Sequence, residues 1–145
     1  MIKNEDEFTY FISRRLLGLA MIIFAFNGYF EFIMIPMPER QGFIFIMAME
    51  KTGYMFPMIS LFQLVCGFML FFGKFVILAT TILTPIIFNI LVFHIFLAPS
   101  GLLFAFLFTA LNLNLLWKHR EAFYNLFFNE WELKFVAIYK QLMVI

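Results

Sequence analysis

The chain has 145 residues, of which 64% are hydrophobic, 21% aromatic and 13% charged, with a formal net charge of +1 and a mean hydropathy of +0.95. Soluble domains are about half apolar and about a quarter charged, and one of this length leaves roughly a third of its unfolded-chain surface in water. The composition excludes disordered, disulfide-stapled and water-soluble enzyme classes, gives no electrostatic case for nucleic acid, and points to an integral membrane protein in contact with the lipid bilayer.

A helix that crosses a bilayer needs about 20 apolar residues. The first such stretch runs over about 12–35 and stops at Pro36-Met37-Pro38. Its opening, Ser13-Arg14-Arg15-Leu16-Leu17, has the look of a twin-arginine export signal, but the apolar run is too long and lacks a small-x-small cleavage site, so a retained helix is expected. The loop 36–53 follows, with the apolar run Phe43-Ile44-Phe45-Ile46-Met47-Ala48-Met49, which is too short to span and is expected in the outer interface or as a cap on the bundle. The second stretch, 54–72, ends at Gly73-Lys74, and the third, 75–97, ends at Ala98-Pro99-Ser100-Gly101. The fourth, 102–117, is the shortest, with Trp117 and Lys118 placed to sit at the interface.

Short connections between these stretches predict an all-α fold, an integral membrane antiparallel four-helix bundle over 1–117. The tail, 118–145, carries Phe123, Phe127, Trp131, Phe135, Ile138 and Leu142 at helical intervals, which predicts an amphipathic, interfacial C-terminal helix or a partner-docking one. Of the ten basic residues, Lys3, Arg14, Arg15, Lys74, Lys118, Arg120, Lys134 and Lys140 fall on one side and only Arg40 and Lys51 on the other. The excess of positive charge predicts cytoplasmic N and C termini.

Polar side chains within apolar spans are costly and therefore mark candidate sites. From the helical rise, Asn27, Gln63 and Asn89 are expected about 12–14 Å below the outer ends of the first three spans. They either lock the helices to one another or floor a small polar pocket. Glu31 and His94 are expected nearer that surface, about 5–6 Å deep. As a pair they could handle protons or hydrogen-bond a quinone head group or small anion; alternatively each reaches interfacial water alone. Pro85 removes a backbone donor and predicts a structural kink one turn before Asn89. The single cysteine, Cys66, excludes an intrachain disulfide and a CxxC relay. HExxH, Cys/His zinc, P-loop and GxGxxG patterns are absent, as is a histidine pair at helical spacing that would clamp haem. No metal and no intrinsic cofactor is expected, and a quinone is the cofactor class these residues could bind.

Three segments carry a family resemblance. Arg15-Leu16-Leu17-Gly18 with Asn27-Gly28-Tyr29, the run from Pro57 through Gln63, Gly67 and Gly73, and Thr84-Pro85-Ile86-Ile87-Phe88-Asn89-Ile90-Leu91-Val92-Phe93-His94 are similar to the first three helices of the DoxX-like group of small four-helix bacterial membrane proteins. Gln63 stands where that group often has glutamate, and Cys66-Gly67 where it often has two glycines. The resemblance implies a link to redox metabolism, as a membrane subunit of thiosulfate:quinone oxidoreductase or a membrane partner of detoxifying oxidoreductases. It points to Asn27, Gln63, Pro85, Asn89 and His94 as the functional face. The expected function is that of a bacterial cytoplasmic (inner) membrane protein, an accessory or anchoring subunit for a quinone- or thiol/sulfur-linked redox partner and not an autonomous enzyme, with a quinone or small ligand among its outer polar residues. Two alternatives stand beside it: a proton-coupled transporter, assembled as a homo-oligomer, that uses Glu31 and His94, and a structural assembly factor that docks by its tail.

Overall fold

The structure, a computed structural model, describes residues 2–34, 38–127 and 139, and every regular element among them is helical. In chain order these are α1 (Ile2–Phe30), α2 (Arg40–Lys51), α3 (Met55–Phe72), α4 (Val76–Phe96), a 3-10 turn (Pro99–Gly101), α5 (Leu102–Lys118) and α6 (Arg120–Phe127). Four helical segments are long and apolar enough to cross a membrane: Glu5–Phe30, Met55–Phe72, Val76–Phe96 and Pro99–Lys118. The fourth reaches 20 residues because the 3-10 turn prefixes α5, which removes the shortness expected of its apolar stretch. No more than 28% of any of these four segments' apolar windows is buried. Most of their apolar surface therefore faces outward, a distribution that water does not support.

The first helix departs from the sequence expectation at both ends. It begins near the N terminus, where Glu5, Asp6 and Glu7 lie near the positive end of the helix dipole and Asp6 pairs with Lys118 of α5 at 3.2 Å. It stops at Phe30 rather than near residue 35, because the Asn27 side-chain oxygen accepts the backbone N–H of Ile33 at 2.6 Å and Glu31 turns into the left-handed region at φ 48°. The apolar run of the 36–53 loop forms α2. At 12 residues α2 is too short to cross, and it rests on the end of α4, with Gly42 against the Leu97 carbonyl and the Phe45 and Phe93 rings 5.7 Å apart. Of the expected tail stripe, Trp131, Phe135, Ile138 and Leu142 lie outside the described residues.

α1 packs on α3 and α5, and α4 packs on the same two helices. The tightest seam is α1 on α3, which run antiparallel, with Gly18 at Gly67 and Gly28 at Ser60. A Cβ on Gly18 would lie 2.8 Å from the Gly67 carbonyl oxygen, and one on Gly67 would lie 2.9 Å from that of Gly18. Small residues permit this approach of two backbones. The interior behind the seam is filled by Leu17, Met21, Cys66, Leu70, Leu83, Ile87, Phe108 and Leu115, with Phe24 edge-on to Phe108 at 5.6 Å.

Because the atom opposite Gly67 is backbone and cannot swing aside, Gly67→Val should force the helices apart. We expect a loss of about 1–3 kcal/mol, read as a lowered unfolding midpoint of the detergent-solubilised protein. Val65→Ala, on the exposed face of the same helix, should leave the midpoint nearly unchanged.

Candidate functional site

The polar groups sort into three levels along the helices. At the N-terminal end, α1 lies between the last turns of α3 and α5. The Arg14 guanidinium donates from Nη1 to the carbonyl oxygens of Leu70 at 2.8 Å and Phe71 at 3.2 Å. These carbonyls belong to the last turn of α3, where in-helix donors run out and the dipole is negative. Gly73, left-handed at φ 75°, closes α3, with the Lys74 N–H reaching back to the Met69 carbonyl at 2.9 Å in a Schellman-type end. Any side chain at Gly73 would collide with the Arg14 guanidinium. On the α5 side, Asn114 Nδ2 donates to Ser13 Oγ at 2.8 Å. The Tyr10 hydroxyl lies 3.2 Å from His119 Nε2, and the two rings meet edge to face. Partial burial pushes the His119 imidazole below its usual 6.5, since desolvation disfavours the charged form.

The second level joins α4 to α5. Asn112 Nδ2 donates to Thr84 Oγ1 at 3.0 Å, and Thr84 Oγ1 in turn donates to the Thr80 carbonyl at 2.7 Å. Asn112 is 3% exposed, and its Oδ1 has no partner among the described residues. A buried carbonyl-type oxygen left without a donor is costly, so Asn112 is the most strained polar group of the interior. Pro85, next in the chain, cannot donate to the Thr81 carbonyl one turn back.

The third level holds the residues singled out from sequence, and the structure does not gather them. Asn27 is buried, but with α1 ending at Phe30 it sits in the last turn, about 4–5 Å from the helix end, and its side chain closes that end. Gln63 is buried at mid-length of α3 and makes no side-chain hydrogen bond among the described residues. Asn89 is exposed on α4, so the expected level of three inward amides does not form: Gln63 faces in, Asn89 faces out and Asn27 caps. Glu31 is exposed beyond α1, with its N–H on the Asn27 carbonyl at 3.0 Å. His94 is half-buried, its Nδ1 is 2.7 Å from the Ala98 carbonyl oxygen, and Gly101 crosses directly over its ring. Glu31 and His94 form no ion pair or hydrogen bond with one another among the described residues. Each is held by its own helix end, Glu31 through its N–H on the Asn27 carbonyl and His94 through the Ala98 carbonyl.

Asn112, Asn114, Ser13 and the Tyr10–His119 contact went unread in the sequence. The signal for the first two was present: they are the only carboxamides in the fourth apolar stretch, the same criterion that selects Asn27. Cys66 is buried in the interior, and no group of three His, Cys, Asp or Glu side chains among the described residues could hold a metal ion. Comparison with protein-family models, with curated proteins and with solved structures yields no match to the chain.

Two outcomes follow from this geometry. Thr84→Val removes the acceptor of Asn112 and leaves a carboxamide wholly unpaired, so it should destabilise by about 1–3 kcal/mol. Asn112→Leu removes the strained group itself and should cost less, or stabilise. Unfolding midpoints of both variants in one detergent check the order. For His119, the folded protein binds its proton more weakly than the unfolded chain, so its contribution to stability is full above pH 6.5 and is lost as pH falls from there through the lowered folded value. NMR titration of the imidazole should give a midpoint below 6.5, and His119→Gln should abolish that part of the pH dependence of unfolding.

Proposed function

We propose that this chain is a multi-pass protein of the bacterial cytoplasmic membrane, a DoxX-like four-helix bundle that works as an accessory, anchoring subunit for a redox partner. Membrane placement is supported by four apolar helices whose surfaces are mostly exposed. The orientation, with both termini cytoplasmic, is supported by the gathering of Arg14, Lys74, Lys118 and Arg120 at the N-terminal end against Arg40 and Lys51 on α2 at the other.

The observation that carries the role is Asn89. Its carboxamide lies seven residues inside the end of α4, about 10 Å deep, exposed on the outward side and without a hydrogen bond among the described residues. Thr81, Pro85 and Phe88 are exposed beside it at helical spacing. An amide facing hydrocarbon is expensive unless something supplies a donor and an acceptor. A helix of a partner subunit supplies both, and a quinone carbonyl supplies an acceptor to the amide N–H. The proton-coupled reading draws no comparable support, because Glu31 and His94 share no hydrogen bond or ion pair among the described residues.

Photo-crosslinking from position 88 in native membranes, compared with position 65 on the exposed face of α3, tests the role. We expect a protein adduct to a membrane redox enzyme from 88 alone, reduced about threefold to thirtyfold by Asn89→Leu, the range that interhelical amide bonds cover. Lipid adducts only, at both positions, would overturn it. Saturable binding of a menaquinone analogue to the purified chain, weakened by the same substitution, is the expected result for the ligand part; binding indifferent to Asn89 removes that part.

A further inference from the structure

The N-terminal end of the α1–α3 seam carries positive charge that no carboxylate among the described residues pairs with. Arg14, Arg15 and Lys74 all lie at this end, where Arg14 packs on Gly73, the residue before Lys74. The one ion pair among the described residues is Asp6 with Lys118, so none of these three cations has a carboxylate partner. Arg14 is half-buried and spends its Nη1 on the carbonyls of Leu70 and Phe71. Arg15 is exposed, and its guanidinium carbon stands 4.9 Å from the centre of the Phe11 ring and 4.9 Å from that of Phe71. Two rings fix the plane of this guanidinium by cation–π contact and leave its N–H groups free of any protein acceptor among the described residues. Lys74, at the α3–α4 turn, is exposed and likewise without an acceptor.

A guanidinium held against two rings matches an oxyanion bidentately, and an ammonium at the same helix end adds a point charge. The surface directly above is apolar: Leu19 lies one turn along α1 from Arg15, and Phe68 and Phe72 are stacked on α3 beside Phe71, all three exposed. An anion with a hydrocarbon chain attached fits both parts, whereas a free anion fits only the first.

We infer that Arg15, Lys74 and the outer edge of Arg14 form a headgroup site for an anionic phospholipid, with the phosphate on the two exposed cations and an acyl chain along Leu19, Phe68 and Phe72. The site rests on the placement of the chain in a bilayer and not on the accessory-subunit role. Resistance of the protein to carbonate extraction reads that placement separately.

The test is native mass spectrometry of the full chain, released from a mild detergent and titrated with phosphatidylglycerol, phosphatidylcholine or inorganic phosphate. Phosphatidylglycerol should bind first and saturably, with phosphatidylcholine far weaker and inorganic phosphate failing to compete. Arg15→Gln with Lys74→Gln should weaken phosphatidylglycerol about twenty-five-fold, about fivefold for each interfacial charge. Arg40→Gln with Lys51→Gln, at the opposite end, should leave it unchanged. Because Arg15 and Lys74 are exposed, the fold should survive, and an unchanged circular dichroism spectrum verifies it. Arg15→Lys should restore part of the affinity, as charge returns without the planar fork. Equal binding of the two lipids, indifference to the double substitution, or full competition by inorganic phosphate would each overturn the headgroup site.

Discussion

Gly18 and Gly67 bring the backbones of α1 and α3 to the distance at which a single added carbon would strike a carbonyl oxygen. Between helices this apolar, attraction comes from close packing rather than from exclusion of water, so the seam that permits the closest approach governs the rest. With Gly18 and Gly28 turned to α3, the helical period turns Ser13, Leu17 and Phe24 toward the interior and α5. The Ser13–Asn114 hydrogen bond and the Tyr10–His119 contact one turn below it are consequences of that phase. A larger side chain at either glycine would rotate or displace α1 and misalign all of them at once.

Hydroxyls and carboxamides play different parts within this packing. Thr80, Thr81, Thr84 and Thr109 each return their O–H to a carbonyl four residues back on their own helix, so they are satisfied before any neighbour is consulted. A carboxamide has two donors and an acceptor and cannot close on its own helix in the same way. Every amide in the apolar stretches must therefore find a neighbour, close a helix end, or remain short of partners. Asn114 reaches Ser13, Asn112 is half satisfied by Thr84, Asn27 closes α1, Gln63 is buried without a bond among the described residues, and Asn89 faces outward. Among the described residues Asn112, Gln63 and Asn89 are thus the amides left short of partners.

This difference also explains what could be read from the sequence. Helices α3, α4 and α5 begin and end within a residue or so of the expected limits, because Gly73 and the Pro99-Ser100-Gly101 turn punctuate them. The end of the first helix is not legible because hydropathy continues past Phe30 while the helix does not: a side-chain bond from Asn27 decides the end, and no pattern of apolar residues encodes it. Depth arithmetic gave Asn27, Gln63 and Asn89 a common level, but depth says nothing of which side of a helix a residue occupies. For α4, apolar all round, neither face is distinguished by periodicity, so only packing against α3 and α5 shows that Thr80, Leu83 and Ile87 turn inward and Asn89 outward.

The two ends of the molecule are tied unequally by polar contacts. At the N-terminal end Arg14 joins α1 to α3, while Ser13, Tyr10 and Asp6 join it to α5, all by polar contacts. At the other end the side-chain hydrogen bonds of Asn27 and His94 stay within their own segments, and among the described residues only Tyr29 reaches across, to the Pro57 carbonyl at 3.1 Å. α2 lies over that end against α3, with Gly42 at the Leu97 carbonyl and the Phe45 ring at Phe93. Polar cross-links between helices thus concentrate at the N-terminal end, whereas at the α2 end α1 and α3 are held by the close approach of Gly28 to Ser60.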